Sequence, residues 1–130
     1  MITPIYAALL VFLYIFLSFR VIKLRMKYKV GIGDGDQSML TRAIRVHGNF
    51  AENVPYALLL VWMYESTGGS TLLVNIMGIL LCLGRLSHAY GVSQPKEPLI
   101  YRQSGMVMTF LVMLIAALLI LTHLALGYRF

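Results

Sequence analysis

Four apolar stretches, the second long enough to cross a lipid bilayer only if its helix starts earlier, near Met39, take up much of a chain of 130 residues. A spanning helix requires roughly 20 mostly apolar residues. The stretches predict spans at about 2–26, 39–65, 70–91 and 103–128. Hydrophobic residues make up 59% of the chain and charged residues only 12%. A soluble domain of this size has too little interior to hide that much apolar surface. The chain is therefore expected to be an all-α integral membrane protein with a single domain over residues 1–130. The start, "MITPIYAALLVFLYIFLSF", lacks a basic leading segment and a small-x-small cleavage pattern, so it reads as a first helix that stays. No internal repeat or long linker divides the chain.

The connections set the arrangement. Only "ESTGGS" separates the second span from the third, which makes them antiparallel neighbours and predicts an antiparallel four-helix bundle. Four spans place the first and third connections on one side. That side carries Arg20, Lys23, Arg25, Lys27, Lys29, Arg42, Arg45, Arg85, Lys96 and Arg102, and the other carries Arg129 alone. Basic residues favour the cytoplasm, so both termini are expected to face away from it. Arg20, Lys23, Lys27 and Lys29 read as anchors of this kind. The net charge of +6 thus speaks of topology. The aromatics lie in the apolar runs and not among the basic residues, so no nucleic-acid partner is expected. Gly78, Gly84 and Gly91 on the third span would permit close helix approach, since packing in lipid relies on small residues.

The second span is the anomaly. It reads "TRAIRVHGNFAENVPYALLLVWMY", polar in its first half and membrane-grade in its second. Arg42, Arg45, Asn49 and Glu52 recur at steps of three, four and three, which puts them on one helix face. A charged side chain near the bilayer interior costs about 2.5–3.5 kcal/mol on insertion scales, so such groups face protein or a wet cavity and have partners. Arg85 and His88 on the third span lie at matching depth, and a Glu52–Arg85 pair is the simplest satisfaction of one acid and one base. Arg25 and Arg102 fall at similar depth. These residues predict a basic, hydrogen-bonding pocket open to the cytoplasm. A purely structural polar network is the competing reading.

Other signals exclude rather than assign. "GIGDGD" lacks the Lys-Ser/Thr of a phosphate-binding loop, and Asp34 and Asp36 lack the later Glu of a calcium loop. His47, His88 and His123 have no metal spacing, so no metal is expected. His123 reads as a packing or interface residue. Cys82 is the one cysteine, which precludes an intrachain disulfide and reads as an inert buried thiol. A proton-coupled exporter would want an acid in the first span, and there is none.

The stretch "RAIRVHGNFAENVP" resembles the R-x-x-R-x-x-x-N-x-x-E-x-x-P signature of the membrane-associated proteins in eicosanoid and glutathione metabolism (MAPEG). "GRLSHAYG" is similar to that family's third-helix segment, "YRQSG" to the start of its fourth, and "LSFRVIKLRMKYKV" to the close of its first. The nearest likeness is to the short bacterial inner-membrane branch. The resemblance implies a homotrimer with glutathione bound between neighbouring subunits as co-substrate. It implies that Arg25, Arg45, Asn49, Glu52, Arg85 and His88 line the glutathione site and that Arg102 stabilises the thiolate catalytically. The implied activity is glutathione transfer to lipophilic electrophiles, or reduction of lipid hydroperoxides, in contact with membrane lipids. Departures are visible: His88 and Val92 stand where family tyrosines are common, and Gly48 and Asn53 replace an arginine and a tyrosine of some members. A binding or structural protein without turnover is the alternative that these departures motivate.

Overall fold

A computed structural model describes residues 1–96 and 98–127. The fourth span was expected to run to residue 128, and that residue and Arg129 lie outside the described ones. Four helices follow one another: α1 Thr3–Tyr28, α2 Ser38–Ser66, α3 Thr71–Ser93 and α4 Leu99–Ala125. By length and composition α1, α3 and α4 are able to cross a membrane. α2 is the longest of the four at 29 residues. It is set apart from the other three by the charges and amides of its first half. α4 begins at Leu99 rather than at residue 103, because Pro98 sits at its N-cap and the helix starts directly behind it.

α2 is the central element. It packs against α1, α3 and α4, and α3 also touches α1 and α4, while α1 and α4 share no contact among the described residues. The cross-section is thus a diamond with α2 and α3 on its short diagonal. Consecutive helices run antiparallel: Tyr14 packs on Phe50 and Asn49 meets Arg85 toward one end, while Glu65 meets Thr3 and Tyr64 meets Ser70 at the other. The core along α2 is a stripe of Val46, Phe50, Val54, Ala57, Val61 and Tyr64, spaced three and four apart. The outward residues of α1 are large and apolar, with Phe12 70% exposed. In water that would be a defect; in a bilayer it is the solvent-matched surface.

Glycine sets the tightest approach. A Cβ added at Gly105 of α4 would fall 2.5 Å from the Gly84 carbonyl oxygen and 2.7 Å from the His88 nitrogen. At Gly91 it would fall 2.8 Å from the Arg102 backbone nitrogen. These close passages hold the polar start of α4 against the end of α3. Gly78 receives the ring of Tyr6, whose hydroxyl donates to Asn75 Oδ1 at 2.8 Å.

The two ends of the bundle are tied differently. At the end holding the short α2–α3 turn, Glu65 accepts the Ile2 and Thr3 amides, the latter at 2.9 Å, and lies 3.9 Å from the terminal ammonium. An acid at a helix start satisfies donors that have no intrahelical partner. At the opposite end Lys29 turns left-handed (φ 55°) and closes α1. The loop that follows is pinned by Asp34, whose Oδ2 accepts from the Thr41 hydroxyl at 2.7 Å. That bond, helped by the Asp36 N–H, holds the Asp34 carboxyl below the usual carboxylate range.

Two outcomes are expected. Gly105→Val overpacks the α3–α4 crossing and should cost about 1–3 kcal/mol, read as earlier thermal unfolding in detergent, with the exposed control Gly31→Val, where an added Cβ meets nothing, neutral. Asp34 has a depressed folded pKa, so its stabilising share is full above the ordinary carboxylate range and is lost as pH falls through the lowered value. Thr41→Val should raise the Asp34 pKa toward normal in an NMR titration and shift that loss to higher pH.

Candidate functional site

The first half of α2 lies beside the ends of α3 and α4, and a polar cavity of about 410 Å³ opens between them. Ser38, Thr41, Arg42, Arg45 and Asn49 line it from α2, His88 and Val92 from α3, and Arg102 from α4. The α2 residues recur every three or four positions, so one helix face supplies more than half of the wall. Among the described residues three guanidinium groups line the cavity and no carboxylate does. The arrangement favours an anion, for which planar guanidinium donors are suited.

Behind this wall stands a buried cation. Arg85 is 1% exposed. Its Nη1 donates to Asn49 Oδ1 at 2.9 Å, and its Nη2 meets the Met106 sulfur at 3.8 Å. Asn49 thereby links the buried arginine to the cavity. Its carbonyl oxygen is committed to Arg85, which turns its amide nitrogen into the free end. The Arg85 Nε has no partner among the described residues. Arg42 Nη1 reaches the Val92 carbonyl at 3.4 Å, tying α2 to the last turn of α3.

The residues singled out in the sequence therefore divide. Arg45, Asn49, His88 and Arg102 come together around the cavity, and Arg85 supports it from behind. Arg25 does not reach it. Its Nη1 donates to the carbonyls of Gly33 at 2.8 Å and Gly31 at 3.2 Å, because the left-handed turn at Lys29 folds the loop back within its reach. The expected Glu52–Arg85 pair is absent. Glu52 is exposed on the outer face of α2, away from the cavity, and the amide of Asn49 takes the place opposite Arg85. Arg20, read as a headgroup anchor, also donates to the Ser93 hydroxyl across the α1–α3 interface. His47 turns off the polar face toward α1, where Nε2 lies 2.9 Å from the Ser18 hydroxyl and the ring packs 4.8 Å from that of Tyr14. His123 packs on Tyr64 and lies 3.2 Å from the Thr67 hydroxyl. Ser38, Thr41 and Val92 were not foreseen as lining. The signal for them was the helical period itself, continued one turn before Arg42 and one turn after His88. No cluster able to hold a metal ion occurs among the described residues.

The Asn49–Arg85 bond makes an asymmetric prediction. Asn49→Leu leaves a buried guanidinium without its main acceptor and should cost about 3–5 kcal/mol. Arg85→Met leaves only a neutral amide beside the cavity and should cost about 1–3 kcal/mol. Thermal unfolding of both variants in one detergent reads the order.

The family model for the MAPEG family matches residues 3–122, which takes in α1 to α3 and most of α4. Two curated relatives, both inner membrane protein YecN, from Escherichia coli K12 and from Escherichia coli O6:H1, are 42% identical over 118 residues. The match covers 91% of this chain and 88% of each relative. With its four-helix architecture and Arg42, Arg45 and Asn49 of the RAIRVHGNFAENVP stretch lining a polar cavity, the chain belongs to the MAPEG family.

Proposed function

We propose that this protein binds glutathione in the polar cavity and transfers its thiolate to lipophilic electrophiles, as a membrane glutathione transferase or glutathione-dependent peroxidase. The observation that carries the reading is the convergence of Arg45, Asn49, His88 and Arg102 on one cavity, with buried Arg85 fixing Asn49. Glutathione carries two carboxylates, one ammonium and one thiol. The guanidinium groups of Arg42 and Arg45 suit the carboxylates, and the Asn49 amide offers a donor to the peptide. Arg102 beside the sulfur favours thiolate over thiol, and the thiolate is the nucleophile. In transfer, the sulfur–carbon bond forms as the electrophile's leaving group departs with its electron pair. In peroxide reduction, two glutathione molecules become a disulfide as the O–O bond yields an alcohol and water.

Among the described residues the ammonium finds no carboxylate in the lining. The nearest acid on the same helix is Glu52, exposed on the outer face. Arg45 and Glu52 both lie on α2's exposed side, where lipid would be costly company for either. A homotrimer resolves both points, with the neighbouring copy covering Glu52 and closing the site. All four helices then cross the bilayer. By the basic asymmetry the cavity opens to the cytoplasm and both termini face away from it. Placement in a bacterial inner membrane is in keeping with the name of the two relatives. Arg25, held on its loop, would contact glutathione only if it belongs to an adjacent copy.

A second reading, glutathione binding without turnover, is favoured by one observation. Val92 lines the cavity where family tyrosines are common, so no phenol stands there.

Calorimetric titration of the purified protein should give saturable heat with glutathione. Arg45→Ala should weaken binding about 10- to 100-fold, the loss expected for one charge-assisted bond. Arg102→Ala should retain binding but lose the thiolate absorbance and the turnover. No heat at millimolar glutathione with intact protein would overturn the reading; heat without turnover would select the second one.

A further inference from the structure

At the basic end of the bundle, on the outer side of α1, lies a second groove of about 350 Å³ that shares no lining residue with the polar cavity. Phe16, Phe19, Arg20, Lys23 and Leu24 form it from α1, and Met39 closes it from α2. The α1 positions follow the i, i+3, i+4, i+7, i+8 pattern, so they make one continuous stripe. The stripe changes character along its length. Its first part is aromatic and open, with Phe16 63% and Phe19 57% exposed. Its second part is cationic. Arg20 is held in place by its bond to the Ser93 hydroxyl, which uses one of the five guanidinium N–H donors. Lys23 is exposed and has no partner among the described residues. The rise from Phe16 to Lys23 is roughly 10 Å at the α-helical pitch, which takes the stripe from hydrocarbon depth to the headgroups. Among the described residues no acid lines the groove.

We propose that this groove is a binding site for one anionic phospholipid, its phosphate between Arg20 and Lys23 and its acyl chain along Phe19 and Phe16. The charge pattern selects the headgroup class. A zwitterionic lipid would bring an ammonium beside two cations with no carboxylate to receive it. An anionic lipid matches both halves of the stripe, the cationic part by charge and the aromatic part by apolar contact. Diffuse attraction of a basic membrane surface would use every lysine near the headgroups equally, whereas this site uses Lys23 and not Lys29, which caps the end of α1 and does not line the groove.

Native mass spectrometry of the full chain in detergent, titrated with dioleoyl phosphatidylglycerol or dioleoyl phosphatidylcholine, tests the site. The expected result is one phosphatidylglycerol retained per chain, at least about fivefold tighter than phosphatidylcholine. Lys23→Gln should weaken phosphatidylglycerol about fivefold, the share of one lysine near an anionic surface, and leave phosphatidylcholine unchanged. Lys29→Gln should leave both unchanged. Phe16→Ala should weaken phosphatidylglycerol without altering its advantage over phosphatidylcholine. Arg20→Gln also removes the tie to Ser93, so the Lys23 variant carries the test. Equal retention of the two lipids, equal loss in the Lys23 and Lys29 variants, displacement by millimolar inorganic phosphate, or no retained lipid would each overturn the assignment.

Discussion

The bond from Arg85 to Asn49 is the interaction around which the rest is arranged. A guanidinium this deeply buried needs an acceptor, and among the described residues Asn49 supplies it while the Met106 sulfur offers a weak second contact. The pairing fixes the rotation of α2 relative to α3. With that rotation set, the residues one and two turns before Asn49 line one cavity with His88 and Val92. The cavity is thus a consequence of the need to keep charged and amide groups away from hydrocarbon. Its chemistry follows from which groups were placed there: guanidinium, imidazole, amide and hydroxyl, with no acid among the described residues.

The remaining structure serves to hold that register. Gly84, Gly91 and Gly105 let α3 and α4 pass closely enough to bring Arg102 over the cavity mouth. At the far end Glu65 clamps the start of α1 to the end of α2. At the near end Arg42 and Arg20 tie α2 and α1 to the last turn of α3. Each tie joins a helix end to a neighbour. The interior between them is left to apolar packing along the Val46–Tyr64 stripe of α2.

Much of this was legible in the sequence. Long apolar runs announce helices, a short connection announces an antiparallel pair, and a three-four-three spacing announces a common face. The α3 glycines were readable as contact points because lipid leaves few other reasons to keep them. What was not legible is the choice of partner. Spacing places Arg85 and Asn49 at one depth, but it does not say whether Arg85 turns to an amide or to an acid, and charge alone favoured Glu52. Arg25 shows the same limit. The left-handed turn at Lys29 decided where its guanidinium went. Arg20 met a hydroxyl from a helix more than seventy positions away. Such choices depend on rotations about helix axes, which periodicity leaves open.

The account stands on a wet cavity at this end of the bundle, and water access is what measures it. With Cys82 replaced by alanine, single cysteines at Thr41 and Val92 would be exposed to a charged, membrane-impermeant thiol reagent in right-side-out and inverted vesicles, with Ala57→Cys as the core control. Reaction at both cavity positions from one side only, and none at the control, is the outcome the account requires. Silent cysteines at Thr41 and Val92 in both vesicle orientations would contradict it, because the α2 polar face would then be sealed from water.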